Sequence, residues 1–118
     1  MDDDRPIFLQ IAEQIENDII AGTLPEESQV PSTNEFATFH RINPATAGRG
    51  VNLLVDEGIL YKRRGIGMFV ADGARARVIA KHRKQFTNEY LRPLVAEAAK
   101  LGISANELAE MIRREEHR

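Results

Sequence analysis

The chain of 118 residues has no cysteine. That absence excludes disulfides, zinc–thiolate centres and thiol catalysis together, and it suits a reducing cytosol. Long apolar runs are also missing: no stretch approaches the roughly 20 residues of a membrane span. The opening Met1-Asp2-Asp3-Asp4 is the opposite of a basic signal-peptide start. These features predict a soluble, cytoplasmic protein with no membrane segment. Histidine is scarce and scattered, at His40, His82 and His117, so no His/Asp/Glu spacing resembles a metal site. Ser28, Ser32 and Ser104 fall in loop or cap contexts, and the pairs Glu26-Glu27 and Glu115-Glu116 read as solvated faces. No catalytic cluster, metal or cofactor is expected, and the chain is not read as an enzyme.

What is present is an ordinary globular composition, 42% hydrophobic and 29% charged, which argues against wholesale disorder. The net charge of −2 hides a segregation that matters more than its sign. Between residues 39 and 70 five basic side chains (Arg41, Arg49, Lys62, Arg63, Arg64) face only Asp56 and Glu57, while most acids of the first half lie before residue 36. Binding to nucleic acid needs local neutralisation of phosphates, not a basic chain.

Pro6 and the repeat Ile7, Ile11, Ile15, Ile19 predict an amphipathic helix over 7–21, ended by Gly22. Gln29-Val30 reads as a short strand. Ser32-x-x-Glu35 has the capping-box spacing and opens a second helix, with Phe36, Ala37 and Phe39 expected inward. After a turn at His40–Asn43, Asn43-Pro44 starts a third helix that runs to about Glu57 and stops at Gly58. Ile59–Lys62 and Met68–Val70 then read as two strands joined by a basic, glycine-rich hairpin. From Gly73 the character changes. A long helix over 74–100 should kink or split at Pro93, which lacks an amide donor. Ser104-x-x-Glu107 opens a final short helix.

The expected fold class is therefore mainly α, an α+β winged helix-turn-helix with a C-terminal helical dimerisation hairpin. Residues 1–72 form the winged domain and 73–118 the helical dimerisation region. This order of elements suits the grooves of duplex DNA. The third helix presents Asn43, Ala45, Thr46, Gly48, Arg49 and Asn52, small or hydrogen-bonding residues that let a backbone approach base edges. At the hairpin, Arg63, Arg64, Gly65 and Gly67 suit a minor groove, whose negative potential attracts guanidinium. A nucleotide-binding loop does not fit, with a single Gly-x-Gly, no following helix and no Lys-Ser/Thr. The competing reading is a winged-helix adaptor that binds protein partners without DNA readout. Val78, Ile79, Phe86, Tyr90, Leu94, Leu108, Met111 and Ile112 form the expected dimerisation face. Phe86 and Tyr90, at helical spacing, read as core or interface before they read as a ligand pocket.

Pro6-x-x-x-Gln10-Ile11, Val30-Pro31-Ser32, Glu35-Phe36-Ala37, Ile42-Asn43-Pro44-Ala45-Thr46, Leu54-x-x-Glu57-Gly58 and Arg64-Gly65-x-Gly67-Met68-Phe69-Val70 together resemble the GntR family of bacterial repressors. The short tail, with Leu101-Gly102-Ile103-Ser104, is similar to its YtrA-like branch. The resemblance implies a homodimeric repressor on a palindromic operator, often near transporter genes. The helical tail leaves room for an unidentified small-molecule effector, for which the sequence supplies no ligand chemistry. Carried over by position, Ser32, Asn34, Asn43, Thr46 and Arg49 lie on the DNA face, with Arg64, Gly65 and Gly67 at the wing. Many relatives have arginine where Asn34 and Gly48 stand. The operator of the wider family therefore does not carry over.

Overall fold

In a computed structural model that describes residues 4–118, the isoleucine repeat builds helix α1 (Ile7–Ala21). Met1–Asp3, most of the acidic opening, lie outside the described residues. Ile11, Ile15 and Ile19 are buried, while Ile7 at the open end stays exposed. Gly22 stops α1 in the left-handed conformation, with φ of 86°. Ser32 caps α2 (Thr33–His40) through a complete capping box: its hydroxyl oxygen accepts from the Glu35 amide at 3.1 Å, and the Glu35 carboxylate accepts from the Ser32 amide at 3.1 Å. Arg41, itself left-handed at φ 57°, turns the chain. Asn43 then caps α3 (Pro44–Asp56), its Oδ1 accepting from the Ala45 amide at 2.7 Å.

Strands β1 (Leu60–Arg63) and β2 (Gly67–Val70) pair antiparallel, with Leu60 opposite Val70 and Arg63 opposite Gly67. The expected strand at Gln29-Val30 is reduced to a single bridge from Gln29 to Phe69, reinforced by the Val30 amide donating to the Met68 carbonyl at 2.9 Å. The core joins the α1 isoleucines to Val30, Phe36, Ala37, Ala47, Val51, Leu54, Ile59, Leu60 and Val70. Helices α1 and α3 pack closely because residue 50 is glycine. A Cβ there would lie 2.6 Å from the Phe8 carbonyl oxygen.

Helix α4 (Ala74–Phe86) begins inside the same core. Arg75 donates to the Ile20 carbonyl at 3.1 Å and Arg77 to the Gly58 carbonyl at 2.7 Å, so each guanidinium satisfies a carbonyl at the end of another helix. By its internal contacts the chain falls into two compact units, Met1–Ala80 and Lys81–Arg118. Val78 requires a correction. It was expected on the dimer face, yet it is 0% exposed in the core of the first unit. Apolar periodicity marks a buried face but not what buries it. Phe39 also differs, being 81% exposed. The inward face of this two-turn helix is centred between Phe36 and Ala37, and Phe39 lies about 110° from that centre.

In the second unit, α4 passes into a π-helical turn (Thr87–Leu91) and then α5 (Arg92–Lys100). The break falls where Pro93 predicts it. The Arg92 amide reaches the Thr87 carbonyl five residues back, and the Thr87 hydroxyl donates to the Arg83 carbonyl at 3.2 Å. After Gly102, Ser104 and Glu107 cap α6 (Ala105–Glu116) with a second capping box. Val78→Ala should therefore destabilise the fold by about 2 kcal/mol and leave self-association unchanged. Urea denaturation together with sedimentation measures both.

Candidate nucleic-acid interface

Helix α3 carries two stripes. Ala47, Gly50, Val51 and Leu54 are buried, and Ala45, Gly48, Arg49 and Asn52 line an open groove together with Phe8, Leu53 and Asp56. Offsetting a residue by two turns it about 200° around a helix, so the second stripe faces away from the first. Ala45 and Gly48 keep the groove floor low, leaving Arg49 and Asn52 as its side-chain donors and Asp56 as an acidic acceptor at its edge. Arg49 is exposed, and its guanidinium carbon lies 3.9 Å from the centroid of the Phe8 ring. Asn43 is placed at the cap: with Oδ1 engaged, its side-chain NH2 is the group left to donate outward. Ser32 is likewise engaged through its hydroxyl oxygen. Thr46 is half-buried. Asn34 does not join this groove and sits instead beside Glu35, Thr38 and Phe39.

The wing is a short turn in which the Ile66 amide donates to the Arg63 carbonyl at 2.9 Å. Arg63, Arg64 and Gly65 are exposed, with Gly65 left-handed at φ 76°. Gln29 braces the turn, its Nε2 donating to the Ile66 carbonyl at 3.1 Å. Gly67 permits this brace: its φ is 144°, and a Cβ there would meet Gln29 Nε2 at 2.5 Å. The Arg63 guanidinium lies 5.2 Å from the Phe69 ring centroid, and Phe69 stacks on Tyr61. The Tyr61 hydroxyl donates to the Glu27 carboxylate at 2.5 Å. That hydrogen bond, helped by desolvation and the Glu27 charge and opposed by Arg63, raises the phenol above its ordinary 10.0. Phe8, Gln29 and Glu27 carry no local motif, and only their tertiary neighbours reveal what they do.

Residues 8–70 match the sequence profile of the bacterial regulatory proteins of the gntR family. The chain belongs to that family. Similar GntR relatives include the HTH-type transcriptional regulator YhcF of Bacillus subtilis, 32% identical over 92% of this chain and 88% of that protein. The HTH-type transcriptional repressor YtrA of the same organism is 28% identical over 92% of this chain and 82% of its own length. A crystal structure of a GntR-family protein from Bacteroides thetaiotaomicron superposes with a TM-score of 0.83 at 35% identity, covering 95% of this chain and 97% of that one. The AraR DNA-binding domain in complex with its operator ORX1 matches 57% of this chain and 81% of its own, at 30% identity and a TM-score of 0.55. The GntR chain described here is a DNA-binding transcriptional regulator with a winged helix-turn-helix fold. No helix among its described residues is long and apolar enough to cross a membrane.

Because the folded state holds the Tyr61 proton more tightly, the contribution of that contact is present below about pH 10 and lost as pH rises through the raised value. Glu27→Gln removes the main cause, so Tyr61 should titrate closer to its ordinary range. Phenolate absorbance in a Tyr90→Phe background isolates that titration; an unchanged curve would contradict the assigned cause.

Proposed function

We propose that the chain is a homodimeric repressor, acting in the cytoplasm on a palindromic operator and controlling a transporter or neighbouring operon. Its activity is binding and not catalysis. The observation that carries this reading is the low-floored groove of α3, where Ala45, Gly48, Arg49 and Asn52 face away from the core. On this reading Ser32, Asn34, Asn43, Ala45, Thr46 and Arg49 meet the DNA around the major groove. Arg63, Arg64, Gly65 and Gly67 form the wing that lies along the adjacent minor groove. The repressor designation of YtrA supports the sign of the effect.

The homodimer is supported by the surface of the second unit. Phe86 is 58% and Tyr90 64% exposed, and Leu94, Leu108, Met111 and Ile112 line an apolar groove. Exposed apolar area of this kind marks an association surface. The proposed interface comprises Ile79, Phe86, Tyr90, Leu94, Leu108, Met111 and Ile112. A small effector bound to the helical region fits the reading, though no side-chain chemistry names it.

Two experiments test it. Duplexes selected by the wild-type chain from a randomised pool should bind it with steep salt dependence. Selecting none would refute DNA readout. Against the selected duplex, Arg49→Ala should cost about 1–3 kcal/mol and relax specificity at one base position. Uniform weakening across all base variants would make Arg49 a phosphate contact instead. Separately, Leu94→Glu with Ile112→Glu should give a monomer in sedimentation and much weaker operator binding. A dimer that survives both charges would remove this face from the interface.

A further inference from the structure

Beyond the proposed DNA contacts themselves, we infer that Phe8 is a positioning residue that holds Arg49 ready for DNA. The inference rests on the reading of α3 as the recognition helix. Two observations carry it. The first is the stack: the Arg49 guanidinium carbon lies 3.9 Å from the Phe8 ring centroid, well within the roughly 6 Å range of a cation–π contact. The second is the approach that makes the stack reachable. Gly50, next to Arg49 in sequence, leaves space for the Phe8 backbone, whose carbonyl oxygen would lie 2.6 Å from any Cβ at residue 50. Helix α1 is therefore drawn against α3 at the one residue whose ring then lies under the guanidinium.

The geometry suits readout because the two uses of the guanidinium do not compete. Stacking occupies its face, while hydrogen bonds to guanine or phosphate leave from its edge. A free arginine must give up rotamer freedom to present that edge, and an arginine already laid on an aromatic ring has less to lose. Phe8 also lines the groove beside Ala45, Gly48 and Asn52, so the fixed fork stands at the wall of the proposed DNA-facing surface. Arg49 supplies the one guanidinium among the residues lining this groove, so its orientation sets which way that fork points.

The test is a double-mutant cycle on the full chain, with the duplex selected from a randomised pool as probe. Phe8→Leu should weaken binding by about two- to fivefold, the range of an exposed cation–π contact. It should blur the base preference read by Arg49, and Phe8→Tyr, which keeps the ring, should restore it. In an Arg49→Ala background, Phe8→Leu should have no further effect. The side-chain Nε–H resonance of Arg49 should show a ring-current shift in the wild-type chain without DNA, and this measurement decides the matter if Phe8→Leu does not fold. Equal weakening in both backgrounds, unchanged affinity of Phe8→Leu, or an unshifted Arg49 resonance overturns the inference while leaving DNA binding intact. A wild-type chain that selects no duplex overturns the reading of α3, and this inference with it.

Discussion

Everything in the first unit depends on the packing of α1 against α3. Ile11, Ile15 and Ile19 give α1 one apolar face, and Ala47, Gly50, Val51 and Leu54 give α3 the matching one. At Gly50 the two helices approach so closely that a Cβ would lie 2.6 Å from the Phe8 carbonyl oxygen and 3.1 Å from the Ile11 side chain. The cost of glycine in a helix interior, on the order of 1 kcal/mol, is accepted where close approach matters more than helix propensity. Once that face is buried, the helical period leaves Ala45, Gly48, Arg49 and Asn52 on the opposite side. The groove follows from the core rather than being added to it.

The distribution of arginines shows how an acidic chain can present a basic surface. Residues 73–118 hold ten basic and six acidic side chains. Two of the basic ones, Arg75 and Arg77, are engaged with the carbonyls of Ile20 and Gly58, closing helix ends instead of facing a polyanion. Arg49 and Arg63 instead lie over the rings of Phe8 and Phe69. An aromatic face steadies the cation without neutralising it, whereas a carboxylate partner would cancel the charge a phosphate needs. Both rings are therefore fitted to their places by more than apolar burial.

Element boundaries were legible because their signals are local. Gly22, the Ser32–Glu35 box, Asn43-Pro44 and the Ser104–Glu107 box each sit within one helical turn of the boundary they set. Pro93 announced the break in the tail, though not that it takes the form of a π turn, because that depends on which carbonyl the Arg92 amide reaches. Long-range relations were not legible. Gln29 braces a carbonyl 37 residues away, and Phe8 lies under an arginine brought near only by folding. Val78 follows the same rule: its period is that of a buried residue, and only the fold shows that the core at the start of α4 is what buries it. The groove of α3 was legible as a run of residues, but not the ring that forms its wall.

The second unit obeys the opposite constraint. Of its described residues, Ala98 is buried, while Phe86, Tyr90, Leu91, Val95 and Leu101 stay exposed. A segment this short cannot enclose a core, because too much of its surface faces outward at this size. Association with a second copy would remove that apolar area from water and would also join two α3 helices. For a chain with one guanidinium in its groove, the second gain bears directly on readout. A single arginine–base pair discriminates by only about 1–3 kcal/mol, and a half-site read mainly through phosphates carries little sequence information. Two half-sites held together bind through an effective concentration instead of independently. On the proposed dimer, specificity is distributed between two copies of a groove that each carry one guanidinium. The exposed apolar face of the tail and the sparse groove of α3 are then two sides of one design.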